Sequence, residues 1–268
     1  MSRAPAIILL CLLLGACVPP EESNDRVPRY DPEKTIMGQI QARGVLRVGV
    51  PDHCPFATAS EGGEPEGFVV DLARLVADSL GVEAEFAVAD SVELMEMVRV
   101  PADDPAAETA ADIVFPLFPI TERMVQRATV ADPYWVGHSR RLVTPGGAVR
   151  AEGPDVWLMD AACRDGGAVI EGPEDSTVGY GAVVRTGAST FATLVSQVVN
   201  EADAEGDWTR FYERWLADYF AEPSSDKVPI LSVEDAAALW PEGSGTPPAG
   251  GPITVWRTRA GPAPADHG

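Results

Sequence analysis

The most reactive side chains in this chain belong to four cysteines and three histidines. The histidines do not stand at the spacing of a zinc motif, and a site that gathers His53, Cys54, His138 and Cys163 is one way to read them. A disulfide between Cys54 and Cys163, with His53 and His138 at the surface, is the simpler interpretation. We therefore expect no metal site.

The N-terminus predicts export from the cytoplasm. Arg3 supplies the positive charge of a signal peptide, residues 6–14 form its apolar core, and small residues precede Cys17. The apolar run is too short to span a bilayer. Leu14-Gly15-Ala16-Cys17 looks like a lipobox, which predicts a signal peptide over 1–16, lipidation of Cys17 and an extracytoplasmic protein anchored to the cell membrane. An ordinary signal peptide followed by an incidental cysteine is the alternative.

Export makes the remaining cysteines informative. Cys11 leaves with the signal peptide and Cys17 carries the lipid, so Cys54 and Cys163 are the two thiols left in an oxidising compartment. A disulfide between them would close a long loop and stabilise the fold by roughly 4 to 5 kcal/mol in the chain-entropy model. Two unpaired surface thiols are the alternative.

Charge and the missing motifs exclude several functions. The chain has 41 acidic and 20 basic residues, a formal net charge of −21, which repels nucleic acid. It contains no nucleophile elbow, phosphate loop or dinucleotide fingerprint. We therefore predict a protein without cofactor or catalytic residues that does not bind nucleic acid.

The stretch from Val45 to Phe86 organises the elements that position these residues. An alternating strand at 46–50 is followed by a loop at 51–66, an apolar helix at 68–80 that ends at Gly81, and a second strand at 82–86. This order is typical of one βαβ unit in an open α/β sheet, whose loop faces a ligand. Outside this stretch, we predict helices at 35–43, 91–98, 122–127, 190–205 and 208–220. We also predict strands at 112–115, 134–143 and 180–185.

Several of these segments resemble extracytoplasmic solute-binding proteins of family 3, which deliver polar amino acids to ABC importers. The resemblance lies in the βαβ stretch, in Ala111-Asp112-Ile113-Val114, in Ile120-Thr121-Glu122-Arg123 with Asp132-Pro133-Tyr134-Trp135, and in 180–219. It implies an α/β fold of the periplasmic-binding-protein type II class, a small polar solute as ligand and an ABC permease as partner.

The resemblance also implies candidate ligand residues. In members of the family, a run that contains hydroxyl residues, a threonine and an arginine binds the carboxylate of the ligand. Aligned here, Thr121 keeps the threonine position, Leu117 and Pro119 replace hydroxyl residues, and Arg123 lies one residue early. With Phe118 in the same run and Phe56 as the aromatic wall, the candidates are Phe56, Phe118, Thr121 and Arg123.

The second lobe implied by the family is short in this chain. We predict lobe 1 from 35–143 and 179–221, a reduced lobe 2 at 144–178 with room for two or three short strands at most, a flexible tether at 17–34, and a partly disordered C-terminal extension at 222–268. We hypothesise that the Cys54–Cys163 disulfide fixes the reduced lobe over the former cleft. Two functions follow: an amino-acid-type receptor of an ABC transporter, or a degenerate solute-binding fold repurposed as an envelope interaction or sensing module.

Overall fold

A seven-stranded sheet runs through the protein, and one long strand joins its two halves. The structure, a computed structural model, describes residues 27–59, 63–100, 110–172 and 177–220. The strands are β1 (Val45–Val50), β2 (Glu83–Val88), β3 (Ile113–Val114), β4 (Thr129–Val143), β5 (Val149–Pro154), β6 (Val169–Glu171) and β7 (Thr177–Val184). Their order is β2-β1-β3-β7-β4-β5, with β6 also paired to β4.

Seven helices and one 3-10 turn cover this sheet within the described residues. The helices are α1 (Ile36–Arg43), α2 (Phe68–Leu80), α3 (Ser91–Met97), α4 (Glu122–Arg127), α5 (Asp155–Asp165), α6 (Ser189–Glu205) and α7 (Asp207–Trp215), and the turn spans Ala217–Tyr219. The mixed α/β architecture agrees with the sequence prediction.

The βαβ unit predicted from the sequence is present, with β1 and β2 parallel and in register from Val45 with Glu83 onward. Helix α2 begins after Gly67, whose φ of 146° and close approach to the Phe56 carbonyl leave no room for a Cβ atom. It ends at Gly81 in the left-handed conformation, with capping bonds to the carbonyls of Ala77 and Asp78. The glycine therefore stops the helix as expected.

Strand β4 belongs to both halves of the sheet. Residues from Thr129 to His138 pair with β7, and residues from Ser139 to Val143 pair with β5. On the β7 side, the last three residues of β4 pair with β6. Helix α5 packs on this second, three-stranded part of the sheet. Lobe 2 is therefore reduced to β5, α5, β6 and the end of β4.

The prediction of strands alone in 144–178 was wrong, because the segment also contains the 11-residue helix α5. Its apolar residues Val156, Met159 and Ala162 recur every three residues and are all buried. Four glycine-containing pairs surround the helix, and because such pairs are typical of turns, they favoured short strands over a helix in the sequence prediction.

Other predictions need correction at the ends of elements. The helix predicted at 91–98 spans Ser91–Met97 and is capped by Asp90, whose carboxylate accepts the N–H groups of Val92 and Glu93 at 2.9 and 3.0 Å. The predicted helix at 208–220 stops at Trp215 and continues as the 3-10 turn. The predicted tether differs at its end, because Tyr30 packs on the core and Pro28 accepts a bond from Gln41. Predictions for residues 1–26 and 221–268 lie outside the described residues.

One hydrophobic core extends from lobe 1 into lobe 2. It includes Phe56, Phe68 and Trp135, which pack edge to face with ring centres 6.0 to 6.1 Å apart. The aromatic face of α7 is part of this core, since Trp208 and Tyr212 stack on Trp135. Packing against lobe 1 therefore accounts for the aromatic residues of this helix.

A buried carboxylate joins three segments of lobe 1, the end of α1, strand β1 and the residue after β7. Asp112, immediately before β3, is fully buried; it pairs with Arg43 at the end of α1 and lies 3.5 Å from Arg185 after β7. Its Oδ2 also accepts the backbone N–H of Arg47 at 2.9 Å. Burial raises the pKa of this carboxyl, and the N–H of Arg47 and the arginines oppose the increase.

Replacement of this carboxylate tests its role. We expect Asp112→Ala to lower the free energy of unfolding by about 3 to 5 kcal/mol, because it leaves buried arginine charge without its partner. Glu96→Ala, which removes an exposed pair with Arg99, is the control and should cost less than about 1 kcal/mol. Urea unfolding measures both. Equal losses in the two variants would contradict the assignment.

Candidate functional site

The candidate site is the junction between the lobes, where the loop after β1 meets α5. His53 Nε2 lies 2.9 Å from the carbonyl oxygen of Val156, and the N–H of Cys54 donates to Asp160 Oδ1 at 3.1 Å. A disulfide joins Cys54 to Cys163, with Cα atoms 6.0 Å apart. We call this set of contacts between residues 53–54 and α5 the clamp. The predicted disulfide is thus confirmed.

Ring contacts extend the clamp toward the surface. The imidazole of His53 meets the indole of Trp157 edge-on at 4.9 Å, and the Trp157 side chain is 42% exposed. His53 is itself buried, which lowers its pKa, while the Val156 carbonyl and Asp160 oppose that decrease. The ring therefore favours the neutral form and serves as a hydrogen-bonding link between the lobes.

A group of polar side chains is buried directly beside the clamp. Tyr134, Trp135 and Tyr180 come from the paired strands β4 and β7, and Asp155 is the first residue of α5. All four are buried, and their Tyr134 OH, Trp135 Nε1, Asp155 Oδ1 and Tyr180 OH atoms have no hydrogen-bond partner of normal geometry. We call this group the inter-lobe polar cluster.

Gly137 allows these groups to approach the strand closely. A Cβ atom at Gly137 would lie 2.7 Å from Asp155 Oδ1, 2.8 Å from the Tyr180 ring and 3.3 Å from Trp135 Nε1. Three members of the cluster therefore converge over one glycine of β4. Buried polar atoms without partners are rare in proteins and commonly mark a bound water, an ion or a functional site.

Asp155 is the charged member of this cluster. Its Oδ2 accepts the N–H of His138 at 3.0 Å, and the Arg140 guanidinium is 3.9 Å away. Burial raises the pKa of Asp155 to about 6, although these groups and the Trp135 indole oppose the increase. The carboxyl therefore changes charge near neutral pH, inside the junction between the lobes.

Of the residues predicted to bind ligand, Phe56 contacts this cluster through the ring of Trp135, whereas Phe118 packs elsewhere. Phe56 is fully buried between Phe68 and Trp135. Phe118 is half-buried and packs on the smaller apolar cluster around Leu94 and Val114. Their roles as ligand contacts stay predictions.

Thr121 and Arg123 lie at the start of α4. The Thr121 hydroxyl caps α4 by accepting the N–H of Met124 at 3.2 Å. Arg123 lies in α4, and its side chain is outside the part of the chain that the structure describes. A ligand role for either residue stays a prediction.

Sequence reasoning missed Asp155, Tyr134 and Tyr180 as candidates. Pro154-Asp155 is a recognisable helix start, since an acidic residue in the first turn favours the helix dipole. The tyrosines stand in strands that were correctly located. The sequence does not show that β4 pairs with β7, and this pairing brings Tyr134 and Tyr180 to the start of α5.

The described residues contain no group of three or more histidine, cysteine or acidic side chains that could hold a metal ion. Likewise, no helix in the described ranges is both long and apolar enough to cross a membrane.

A two-lobed α/β protein with a strand crossing between the lobes is the architecture of periplasmic-binding-protein type II folds. The family model for bacterial extracellular solute-binding proteins, family 3, matches residues 46–218 of this chain. That is more than half of the chain, and the protein belongs to this family. The fold is therefore of this class, with lobe 1 complete and lobe 2 reduced.

Solved structures share the fold at low sequence identity. A mutant of ArgBP from T. maritima is 19% identical with a TM-score of 0.54, over 67% of this chain and 98% of its own. An ancestral arginine-binding protein bound to arginine is 20% identical with a TM-score of 0.52, over 65% and 99%. An ancestral amino acid-binding protein, a precursor of cyclohexadienyl dehydratase, is 18% identical with a TM-score of 0.54, over 67% and 98%. No curated protein matches the chain.

The raised pKa of Asp155 predicts how stability depends on pH. The folded state binds the proton more tightly than the unfolded chain, whose carboxyl titrates near 3.8. The stabilisation is fully present below about pH 4 and is lost as pH rises through about 6. Relative to Asp155→Asn, we expect the wild-type free energy of unfolding to fall by on the order of 3 kcal/mol across this interval.

Urea unfolding of both proteins from pH 4 to pH 8 measures this difference. His53 is present in both proteins, so any contribution from its titration cancels in the comparison. A difference between wild type and variant that stays constant with pH would show that Asp155 does not have a raised pKa.

Proposed function

We propose that this protein is an extracytoplasmic receptor for a small polar solute of the amino-acid type, and that it presents this solute to an ABC permease. The observation that carries the proposal is the inter-lobe polar cluster, because it places unsatisfied polar atoms between the two lobes of a solute-binding fold. Membership of the family supports the solute-binding role. The arginine-bound ancestral protein supports an amino acid as the first ligand to test.

The chemistry of the cluster fits such a ligand. Asp155 Oδ1 can accept hydrogen bonds from a cationic group, and the Tyr134 and Tyr180 hydroxyls can donate or accept. The aromatic rings of Phe115 and Tyr134, 5.5 Å apart, provide an apolar wall on the lobe 1 side. This combination of one charge, a few polar groups and aromatic surface is typical of small-molecule sites.

A second function is favoured by the clamp. A disulfide and two hydrogen bonds that fix α5 to lobe 1 restrict the opening and closing on which solute capture depends. On this alternative, the chain is a degenerate solute-binding fold that acts as an envelope interaction or sensing module without transport.

A thermal-shift screen separates the two functions. The panel contains L-arginine, L-glutamine, other amino acids and small organic acids. A receptor at a ligand concentration one hundred times Kd gains about 2.7 kcal/mol, a rise in Tm of roughly 5 to 10 °C. Tyr180→Phe should reduce this rise, and Tyr219→Phe, a half-exposed tyrosine of the 3-10 turn, should leave it unchanged. No shift with any compound favours the interaction module.

Lipid anchoring at Cys17 belongs to the same proposal. We expect the exported protein to sediment with membranes, and Cys17→Ala to release it or leave it unprocessed, because the thiol that carries the lipid is gone. Mass spectrometry of the mature N-terminus detects the acyl chains directly. A mature protein that begins elsewhere without lipid would contradict this part.

We also propose that the protein is not an enzyme, in keeping with the binding proteins among its structural neighbours. One neighbour is an ancestral cyclohexadienyl dehydratase, and a buried acid with a pKa near 6 is the kind of group that such chemistry uses. Turnover of a prephenate-like acid by the purified protein would overturn this proposal.

A further inference from the structure

Within the described residues, the Cys54–Cys163 disulfide of the clamp is the sole covalent link between the lobes other than the chain itself. Its two sulfur atoms come from the loop after β1 and from α5, which are 109 residues apart in sequence. Both cysteines are only half-buried, so a thiol in solution can reach the bond. The clamp is therefore both a restraint on lobe 2 and a chemically accessible group.

Besides the disulfide, lobe 2 is held against lobe 1 by the shared hydrophobic core and by a small number of polar contacts. Helix α5 packs on β4, β5 and β6, which are its own sheet, and touches the 3-10 turn. Toward the loop after β1, the structure gives it the hydrogen bonds to His53 and Cys54 and the ring contact of Trp157. These contacts are weak individually, since a typical hydrogen bond contributes about 1 kcal/mol net.

The strand that joins the lobes has a point where motion is easiest. The pairing of β4 with β7 ends at His138, and its pairing with β6 starts at Arg141. Gly172, the residue directly after β6, has a φ of 101°. The sheet is therefore interrupted on one side of β4 at the boundary between the lobes.

From these contacts we propose that the Cys54–Cys163 disulfide is a redox-controlled clamp: it holds lobe 2 closed over the inter-lobe polar cluster, and its reduction frees lobe 2 to move about β4 and expose the cluster. The proposal rests on the solute-binding function proposed above, because the exposed cluster is the site assigned there. It makes the oxidised protein the closed form and the reduced protein the form that admits solute.

The reductant is a dithiol, either a small molecule or a dithiol protein outside the cytoplasm. One thiolate of the dithiol attacks Cys54 or Cys163 and forms a mixed disulfide, and the other cysteine leaves as a thiolate. The second thiol of the dithiol then displaces the first cysteine. The dithiol is oxidised to a disulfide, and both cysteines take up protons to become thiols.

Hydrogen exchange detects the opening without any ligand. The N–H of Cys54 reports on the clamp, and the N–H of His138 reports on its bond to Asp155. In dithiothreitol, with reduction verified by a mass increase of about 2 Da for two added protons, we expect peptides that cover 51–59 and 134–140 to exchange at least tenfold faster. Peptides from α2 should not change.

The double variant Cys54→Ser/Cys163→Ser is the matched control. It should exchange like the reduced wild type in the presence and absence of dithiothreitol. Unchanged exchange on full reduction would overturn the proposal that the disulfide controls the opening of lobe 2. Faster exchange that includes α2 would also overturn it, since that result indicates general destabilisation of lobe 1.

Binding of L-arginine in the two redox states distinguishes the clamp from the proposed function. At least tenfold tighter binding to the reduced protein supports both. Equal binding to both states overturns the clamp and leaves the receptor function standing. Absence of binding to this probe and to the other solutes of the panel in both states refutes the receptor function, and the exchange data then decide the clamp by themselves.

Discussion

Strand β4 is the constraint on which the arrangement of this protein depends. Because its fifteen residues pair with β7 in lobe 1 and with β5 and β6 in lobe 2, the two half-sheets share a backbone and cannot separate. They can only twist or bend relative to each other near the residues where the ladder changes partner. The clamp attaches lobe 2 at a second point, and two attachments fix the position of α5 over the junction.

The inter-lobe polar cluster exists because of that fixed position. In the unfolded chain, Asp155 is hydrated and titrates near 3.8 as an ordinary carboxyl. With α5 in place, Asp155 loses water, and the His138 N–H and the Arg140 guanidinium replace only part of that hydration. A core selected for stability alone has no reason to retain two tyrosine hydroxyls without partners beside a buried carboxyl. The cost of burying them is the physical argument that the junction has a function.

Much of lobe 1 could be predicted from the sequence. The βαβ unit from Val45 to Val88 was recognised because apolar periodicity and the stop at Gly81 indicate the same structure, and the disulfide followed from counting thiols in an exported chain. Local signals for α5 do exist in its start at Pro154-Asp155 and in its recurring apolar residues, but the glycine pairs on both sides of it favour turns. Local patterns could not reveal the cluster, because the contact between Asp155 and the tyrosines depends on strand pairing across the chain. The four predicted ligand residues came from an aligned motif, which carries no information about how lobe 2 closes.

The small size of lobe 2 explains why it occurs together with a disulfide. Its buried apolar residues in α5 and β6 are few, chiefly Val156, Leu158, Met159, Ala162 and Ile170. Three short strands and one helix with so small a core have little stability of their own. A larger second lobe could be rigid by itself and move as a body on its hinge. This lobe is instead held rigid by the core that it shares with lobe 1 and by the clamp. For a lobe of this size, the bond that supplies rigidity also controls access to the junction, so any change in the redox state of Cys54 and Cys163 acts on both properties at once.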